Sequence, residues 1–339
     1  MKLPSLFERT GLTDRQEAAV KITLANLRTQ RRSRFRILAC MDDTDQSLLA
    51  VRFAARLAAS DECDVIIMHV RPIDQGLHSG GLQVRLARQN MMEAGFELPG
   101  VSYLKQAIKI LAEEGLDITG WPCTSQNQDA WGDAAGDTKV EYKSPAGRSV
   151  VLKLKTAPDV AGGIIDQYEL GPYNLMILGE PSRWRSELRS FFDAGIVQTV
   201  TTMAPCSVMV ARNSLEKQGF FICTDGSSRS LQAVRRASVL AVATGQPITL
   251  FSAAPTANAK PAAEEAVANA AALLKAMKVP VAETVTAVGD PLHVIVERGE
   301  NYRLIVVTDE GRSRLQRLIK GSLASDVVRH AKTSVLDVR

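Results

Sequence analysis

Apolar residues recur along this chain in alternating strand-like runs and helix-period segments, and the same order is run through twice. Arg36 to Leu49 reads RILACMDDTDQSLL and Phe220 to Leu231 reads FFICTDGSSRSL. Each opens as an apolar run rich in β-formers and ends at an aspartate, Asp42 or Asp225, before small polar residues and a helix-period segment. The pattern predicts a strand, a turn and a helix. Helices over Ser47 to Ala59 and Ser230 to Ala243 then lead into second strands at Asp64 to Val70 and Pro247 to Ala253, the alternation of a parallel α/β sheet. The halves also end alike. Tyr173 to Leu178 and Tyr302 to Val307 are short apolar strands, each followed by a basic loop, a helix and a last strand, Ser207 to Ala211 or Ser334 to Val338.

This duplication sets the domain organisation. We place a first domain at 34–212 and a second at 218–339, joined by the polar, aperiodic stretch Arg212 to Gly219, with residues 1–33 as an N-terminal extension. In that extension Thr13 and Gln16 form a capping box ahead of Val20, Leu24 and Leu27 on one face, which predicts a helix, and Arg28 to Arg36 is strongly basic. The first half also gains an insert at about 121–158, placed between its third strand and the helix before Tyr173. Lys139 to Lys143 and Ser149 to Lys155 alternate polar and apolar residues around Ser144-Pro-Ala-Gly147, a β-hairpin signal. Trp121, Trp131 and Tyr142 in this insert either offer contact area to a protein partner or staple the insert to its own sheet.

Composition narrows the function classes. With 339 residues, 45% hydrophobic and 23% charged, the chain has the make-up of a globular protein with a buried core. A net charge of +4 is too small to predict nucleic-acid binding. No apolar stretch is long enough for a membrane span and the N-terminus lacks the core of a secretory signal, so a cytoplasmic protein is expected. The basic end of the extension could meet a membrane surface, but a helix packed on its own domain is the favoured reading. Five cysteines without a CxxC pair, and four scattered histidines, give neither a disulfide framework nor a metal site; Cys40 and Cys223 read as small buried hydrophobes in strands. No nucleophile-and-base motif, Walker lysine motif or dinucleotide fingerprint is present, so no catalytic residue is assigned.

One segment does carry chemistry. Gly311 is followed by nine residues and then Gly321-Ser322, opening a helix from Ser322 to His330. Glycines let backbone N–H groups approach a phosphate, and a helix N-terminus offers unsatisfied donors and partial positive charge. Ser322 could cap the helix or donate to a phosphate oxygen, and Arg312, Arg314, Arg317 and Lys320 add positive charge. Asp225 stands at the carboxyl end of the first strand of this half, the edge where open α/β sheets bind ligands.

With these motifs the chain resembles the universal stress proteins in their tandem form. The resemblance implies two open, parallel, five-stranded sheets flanked by helices, of the adenine-nucleotide α-hydrolase-like kind. Many members bind ATP through a strand-end aspartate and a motif of G, two residues, G, nine residues, G-(S/T). Carried onto this sequence, the implied site comprises Asp225, Ala253, Val307, Thr308, Gly311, Gly321, Ser322 and Leu323, with Asp225 at the adenine or ribose and the backbone near Ala253 along the base. Thr308 replaces the motif's first glycine. In the first half Gly179 is kept, but Ser182 replaces the second glycine and Ala194-Gly195 the final pair. Glu180, Asp43 and Asp45 add negative charge there, so this half is expected to be degenerate.

The expectation is therefore a stress-associated regulatory protein, not an enzyme, holding ATP, with or without Mg²⁺, in its second domain and meeting a protein partner through the insert. Weak ATP hydrolysis or autophosphorylation enters only through the resemblance. The alternative is a nucleotide-free module that docks a protein or a membrane through the insert and the N-terminal helix. The two halves are expected to pair within the chain through their last strands, with a further homodimer left open.

Overall fold

Strand β1 (Phe35–Cys40) is buried at every position after Phe35, as a strand covered on both faces must be. The computed structural model describes residues 34–58, 63–72, 99–130, 133–169, 172–180, 194–212, 217–308 and 322–339. The predicted N-terminal helix, His78 and Trp131 lie outside them. After β1, Thr44 caps helix α1 (Asp45–Leu57), its hydroxyl accepting the Ser47 N–H at 3.2 Å. The first half continues through β2 (Cys63–Pro72), α2 (Pro99–Glu113), β3 (Cys123–Ala130), β4 (Asp133–Lys143), β5 (Ser149–Ala157), α3 (Val160–Glu169), β6 (Leu175–Gly179), α4 (Ala194–Met203) and β7 (Ser207–Ala211). The second half runs β8 (Phe220–Cys223), α5 (Ser228–Ala243), β9 (Ile248–Ala254), a 3₁₀ turn (Ala257–Ala259), α6 (Lys260–Ala276), β10 (Glu283–Val288), α7 (Pro291–Gly299), β11 (Leu304–Thr308), α8 (Leu323–His330) and β12 (Ser334–Val338).

All twelve strands join one sheet in the order β10-β9-β8-β11-β12-β7-β6-β1-β2-β5-β4-β3. Within each half five strands are parallel, and in both the first strand lies between the second and the fourth. The halves meet where β12 pairs antiparallel with β7, Leu336 opposite Met209. The last strands read as edge candidates thus supply each other's missing partner, and the two predicted sheets are one. On the α1 and α5 side the apolar core crosses this seam without a break, bringing Met209 and Ala211 together with Leu336 and Val338.

The insert differs from its sequence reading. Its second predicted strand, β5, is itself the third parallel strand of the first half, paired with β2 from Val65↔Val150 to Pro72↔Ala157. The segment before Trp121 that would have supplied that strand is interrupted by Gly115 and Gly120, whose φ values of 84° and 85° belong to turns. What is added is the antiparallel pair β3 and β4 on the outer side of β5. Trp121 and Tyr142 are partly buried against the core, and the Arg148 guanidinium lies 5.0 Å from the Trp121 ring centre. Those two aromatics staple the insert to its own sheet.

Candidate functional site

In the second half β8 delivers Thr224 and Asp225 to the carboxyl edge of the sheet at the point where strand order reverses, between β9 and β11. The chain turns there through Gly226, whose φ of 79° an L-side chain rarely adopts. Ser227 then caps α5 by accepting the Ser230 N–H at 3.2 Å. Asp225 Oδ1 accepts the Ser227 N–H at 2.9 Å. Partial burial works against the Asp225 charge, but hydrogen bonds from Ser227 and Ser230 outweigh it and hold the carboxyl below its ordinary range.

A cavity of about 340 Å³ opens at this edge. Of the residues singled out from sequence, Asp225, Ala253, Val307, Thr308 and Leu323 line it together. Gly311 and Gly321 lie outside the described residues, as do the neighbouring arginines and Lys320. Ser322 is buried as the N-cap of α8; its hydroxyl accepts the Ser325 N–H at 3.2 Å and bonds the Ser325 hydroxyl at 3.1 Å, so of its two expected roles the structure shows the cap. Thr308 turns its hydroxyl to the neighbouring strand, donating to the Val338 carbonyl at 2.9 Å.

Sequence reading missed the apolar wall of this cavity, formed by Phe251 on β9, Ala262 and Ala263 on α6, and Pro291 and Ile295 on α7. The only sequence signal was a run of small residues on α6 and a proline at the start of α7. The wall is predominantly carbon with one carboxylate at the rim, a donor set that suits a flat heterocycle carrying a hydroxylated sugar. Among the described residues no cluster of three or more His, Cys, Asp or Glu side chains could hold a metal ion.

The equivalent position in the first half is built differently. The pairings Cys40↔Met68 and Cys223↔Phe251 place His69 where the second half has Ser252. His69 is buried, its Nδ1 bonds the Met41 carbonyl at 2.8 Å, and burial lowers its basicity. The ring stands 5.2 Å, edge-on, from Tyr103 of α2. Gly100, in the first turn of α2, sits so close that a Cβ there would lie 2.6 Å from the His69 ring. On the other side a Cβ at Gly179 would come within 2.4 Å of the Ser47 nitrogen, whereas the matching Thr308 has a full side chain. Asp42 is 0% exposed, whereas Asp225 faces solvent and cavity. Glu180, read as a charge on a phosphate path, is buried in an ion pair with Arg212.

All five cysteines are free. Burial pushes the thiols of Cys63 and Cys206 up to about 12 and raises those of Cys40 and Cys223 as well, which keeps them protonated and unreactive. No helix among the described residues is long and apolar enough to cross a membrane.

A duplicated five-stranded parallel unit with a cleft at the strand-order reversal defines an open α/β class of ligand-binding scaffold. The universal stress protein family matches residues 34–212 and 220–339, and the chain belongs to that family. Among solved structures, a universal stress protein from Archaeoglobus fulgidus DSM 4304 matches with a TM-score of 0.55 at 11% identity, over 90% of this chain and 96% of that one. A universal stress protein in complex with cAMP matches at 28% identity with a TM-score of 0.33, over 36% of this chain and 97% of that one. No curated protein matches the chain.

Proposed function

We propose that the second half binds an adenine nucleotide in the cavity beside Asp225, and that the protein serves as a stress-associated regulatory binding protein in which 218–339 is the ligand-holding domain and 34–212 a diverged partner. The observation that carries this reading is the convergence of Asp225, Ala253, Val307, Thr308 and Leu323 on one cavity at the strand-order reversal. Asp225, held ionised, accepts hydrogen bonds from the ribose hydroxyls. The wall from Phe251 to Ala253 takes the purine by apolar contact. The phosphates run toward the N-terminus of α8, where backbone donors and the helix dipole favour an anion, and the preceding Gly311 and Gly321 are the motif glycines expected from sequence to add donors. Mg²⁺ arrives with the phosphates, because Asp225 is the one carboxylate lining this cavity among the described residues.

Calorimetric titration of the purified full chain with ATP, AMP and GTP, with and without Mg²⁺, tests the reading. Adenine nucleotides bind with one site per chain and GTP more weakly, and Gly311→Asp abolishes the heat. Absence of binding at millimolar adenine nucleotide, or an unchanged affinity in both Gly311→Asp and Asp225→Ala, would refute it.

A further inference from the structure

A second cavity, of about 430 Å³, lies on the opposite half of the molecule, in a groove between α3 and the added strand β4. Its floor is set by strand register. Lys139 of β4 stands directly opposite Lys153 of β5, and Lys143 stands opposite Ser149. Side chains directly opposed across an antiparallel pair share one face, so Lys139 and Lys153 point into the same groove, with Lys155 two residues farther along that face. Like charges so placed repel. Lys153 is also largely buried, its side chain 13% exposed, and burial together with Lys155 and Lys139 depresses its basicity against the pull of Asp137.

The counter-charges present are few. Glu141 is shared by Lys139 at 2.6 Å, the Ser149 hydroxyl at 3.0 Å and Lys143 at 3.9 Å, and Asp137 lies 3.8 Å from the Lys153 ammonium. Arg34 and Arg36 add two further cations to the lining, where Asp64, paired with Arg34, is the acid beside them among the described residues. Among the described residues the lining holds five cationic side chains against two carboxylates, with Asp137 just outside it. α3 packs against β2 and β5, and the groove lies beside it over β4. A surplus of like charge gathered around a largely buried ammonium raises the free energy of the folded chain, and a bound anion relieves it.

We propose that this groove is a binding site for a small polyanion, a molecule presenting two or more negatively charged oxygens to Lys139, Lys143 and Lys153. Its geometry does not depend on the nucleotide cavity, which lies on the other half at the opposite ends of the strands. Carboxylate and phosphate groups share the chemistry the lysines recognise, and the test separates them.

The full chain is titrated calorimetrically with citrate and, separately, with inorganic tripolyphosphate, ionic strength being held constant with sodium chloride. Saturable binding of citrate alone assigns a polycarboxylate, of tripolyphosphate alone a phosphate compound, and of both a site that reads charge. In each case Lys143→Gln, on a side chain 65% exposed and harmless to folding, weakens binding about tenfold, the worth of one charge-assisted contact. Lys153→Met does at least as much. Lys260→Gln on the exposed face of α6 and Asp225→Ala leave the affinity unchanged. The nitrogen resonance of Lys153 titrates at higher pH once the anion is bound. The proposal is overturned if neither anion saturates, if Lys143→Gln and Lys153→Met bind as the parent does, if Lys260→Gln weakens binding as much as they do, or if only a long acidic peptide binds.

Discussion

Arg212 and Arg339 hold the same position in the two halves, each the residue directly after its last strand, and each caps the final helix of the other half. The Arg212 N–H donates to Ser334 Oγ at 3.0 Å and the Arg339 N–H to Ser207 Oγ at 3.1 Å. The Arg212 guanidinium donates to the carbonyls of Val328, in the last turn of α8, and Thr333, beyond it, at 2.6 and 3.2 Å. That of Arg339 donates to the carbonyls of Thr201 and Ala204 at the end of α4. Carbonyls at a helix C-terminus lack intrahelical partners, so each arginine satisfies acceptors that burial at the seam would otherwise leave unpaired. Glu180 balances the first guanidinium and Asp337 the second.

The seam predicts a large asymmetry between single and paired substitutions. Arg212→Ala strands the buried Glu180 carboxylate and should cost about 3–5 kcal/mol of unfolding free energy. Arg212→Met combined with Glu180→Leu removes both charges and should recover part of that loss, the remainder reflecting the Val328 and Thr333 carbonyls left without their donor. Urea unfolding of the two variants and the parent measures the difference; equal losses would show that the ion pair is not what the seam depends on.

Asp225→Asn keeps the shape of the side chain proposed to meet the ribose but not its charge. Adenine nucleotide affinity should fall about tenfold, the worth of a charge-assisted hydrogen bond. Because the carboxyl is held below its ordinary range, the parent's affinity stays flat from neutral pH down to the acid end of that range and declines as Asp225 takes up a proton. Titrations at a series of pH values read both effects.

Gly179 is required by contact rather than by its dihedral angles. In Gly179→Ala the new methyl meets the Ser47 nitrogen at 2.4 Å and the Gln46 carbonyl carbon at 2.5 Å, backbone atoms that cannot rotate away. A loss of about 2–3 kcal/mol is expected, as for other overpacked sites. Chemical denaturation should find it, with no change in nucleotide affinity of the second half.

Glu114, just after α2, accepts from Arg52 Nη1 at 2.8 Å and from Arg56 Nε at 2.6 Å on α1. Desolvation pushes its pKa up, yet the two arginines outweigh it and hold the carboxyl below its usual value. A carboxyl depressed by folding stabilises the native state above its unfolded pKa of about 4.3, and that contribution is lost as pH falls through the depressed value. Glu114→Gln should therefore cost about 1–2 kcal/mol at neutral pH, limited by the solvent exposure of both arginines, and nothing in strong acid. Thermal unfolding at neutral and low pH tests the sign.

The duplicated scaffold was legible because β1 and β8 are apolar runs that stop at Asp42 and Asp225, a change of pattern that marks strand ends. The same pattern could not show that Asp42 is fully buried while Asp225 is exposed, because burial depends on elements distant in sequence. Strand β3, Cys-Thr-Ser-Gln-Asn-Gln-Asp-Ala, carries no apolar alternation because it lies exposed on the outer edge, and was invisible. Leu116 and Ile118, in the segment before Trp121, are buried in the core from a loop. Arg212 read as linker polarity, because its partners, Glu180, Val328 and Thr333, are distant in sequence.

Pairing β7 with β12 also governs what either half would do alone. Severed between residues 212 and 218, each fragment would bare a hydrogen-bonding rim whose natural complement runs in the opposite direction and has nearly the same side chains, Ser-Val-Met-Val beside Ser-Val-Leu-Asp. Such a rim complements a copy of itself, so separately expressed halves should associate as twofold dimers, and the covalent tether fixes which two rims meet.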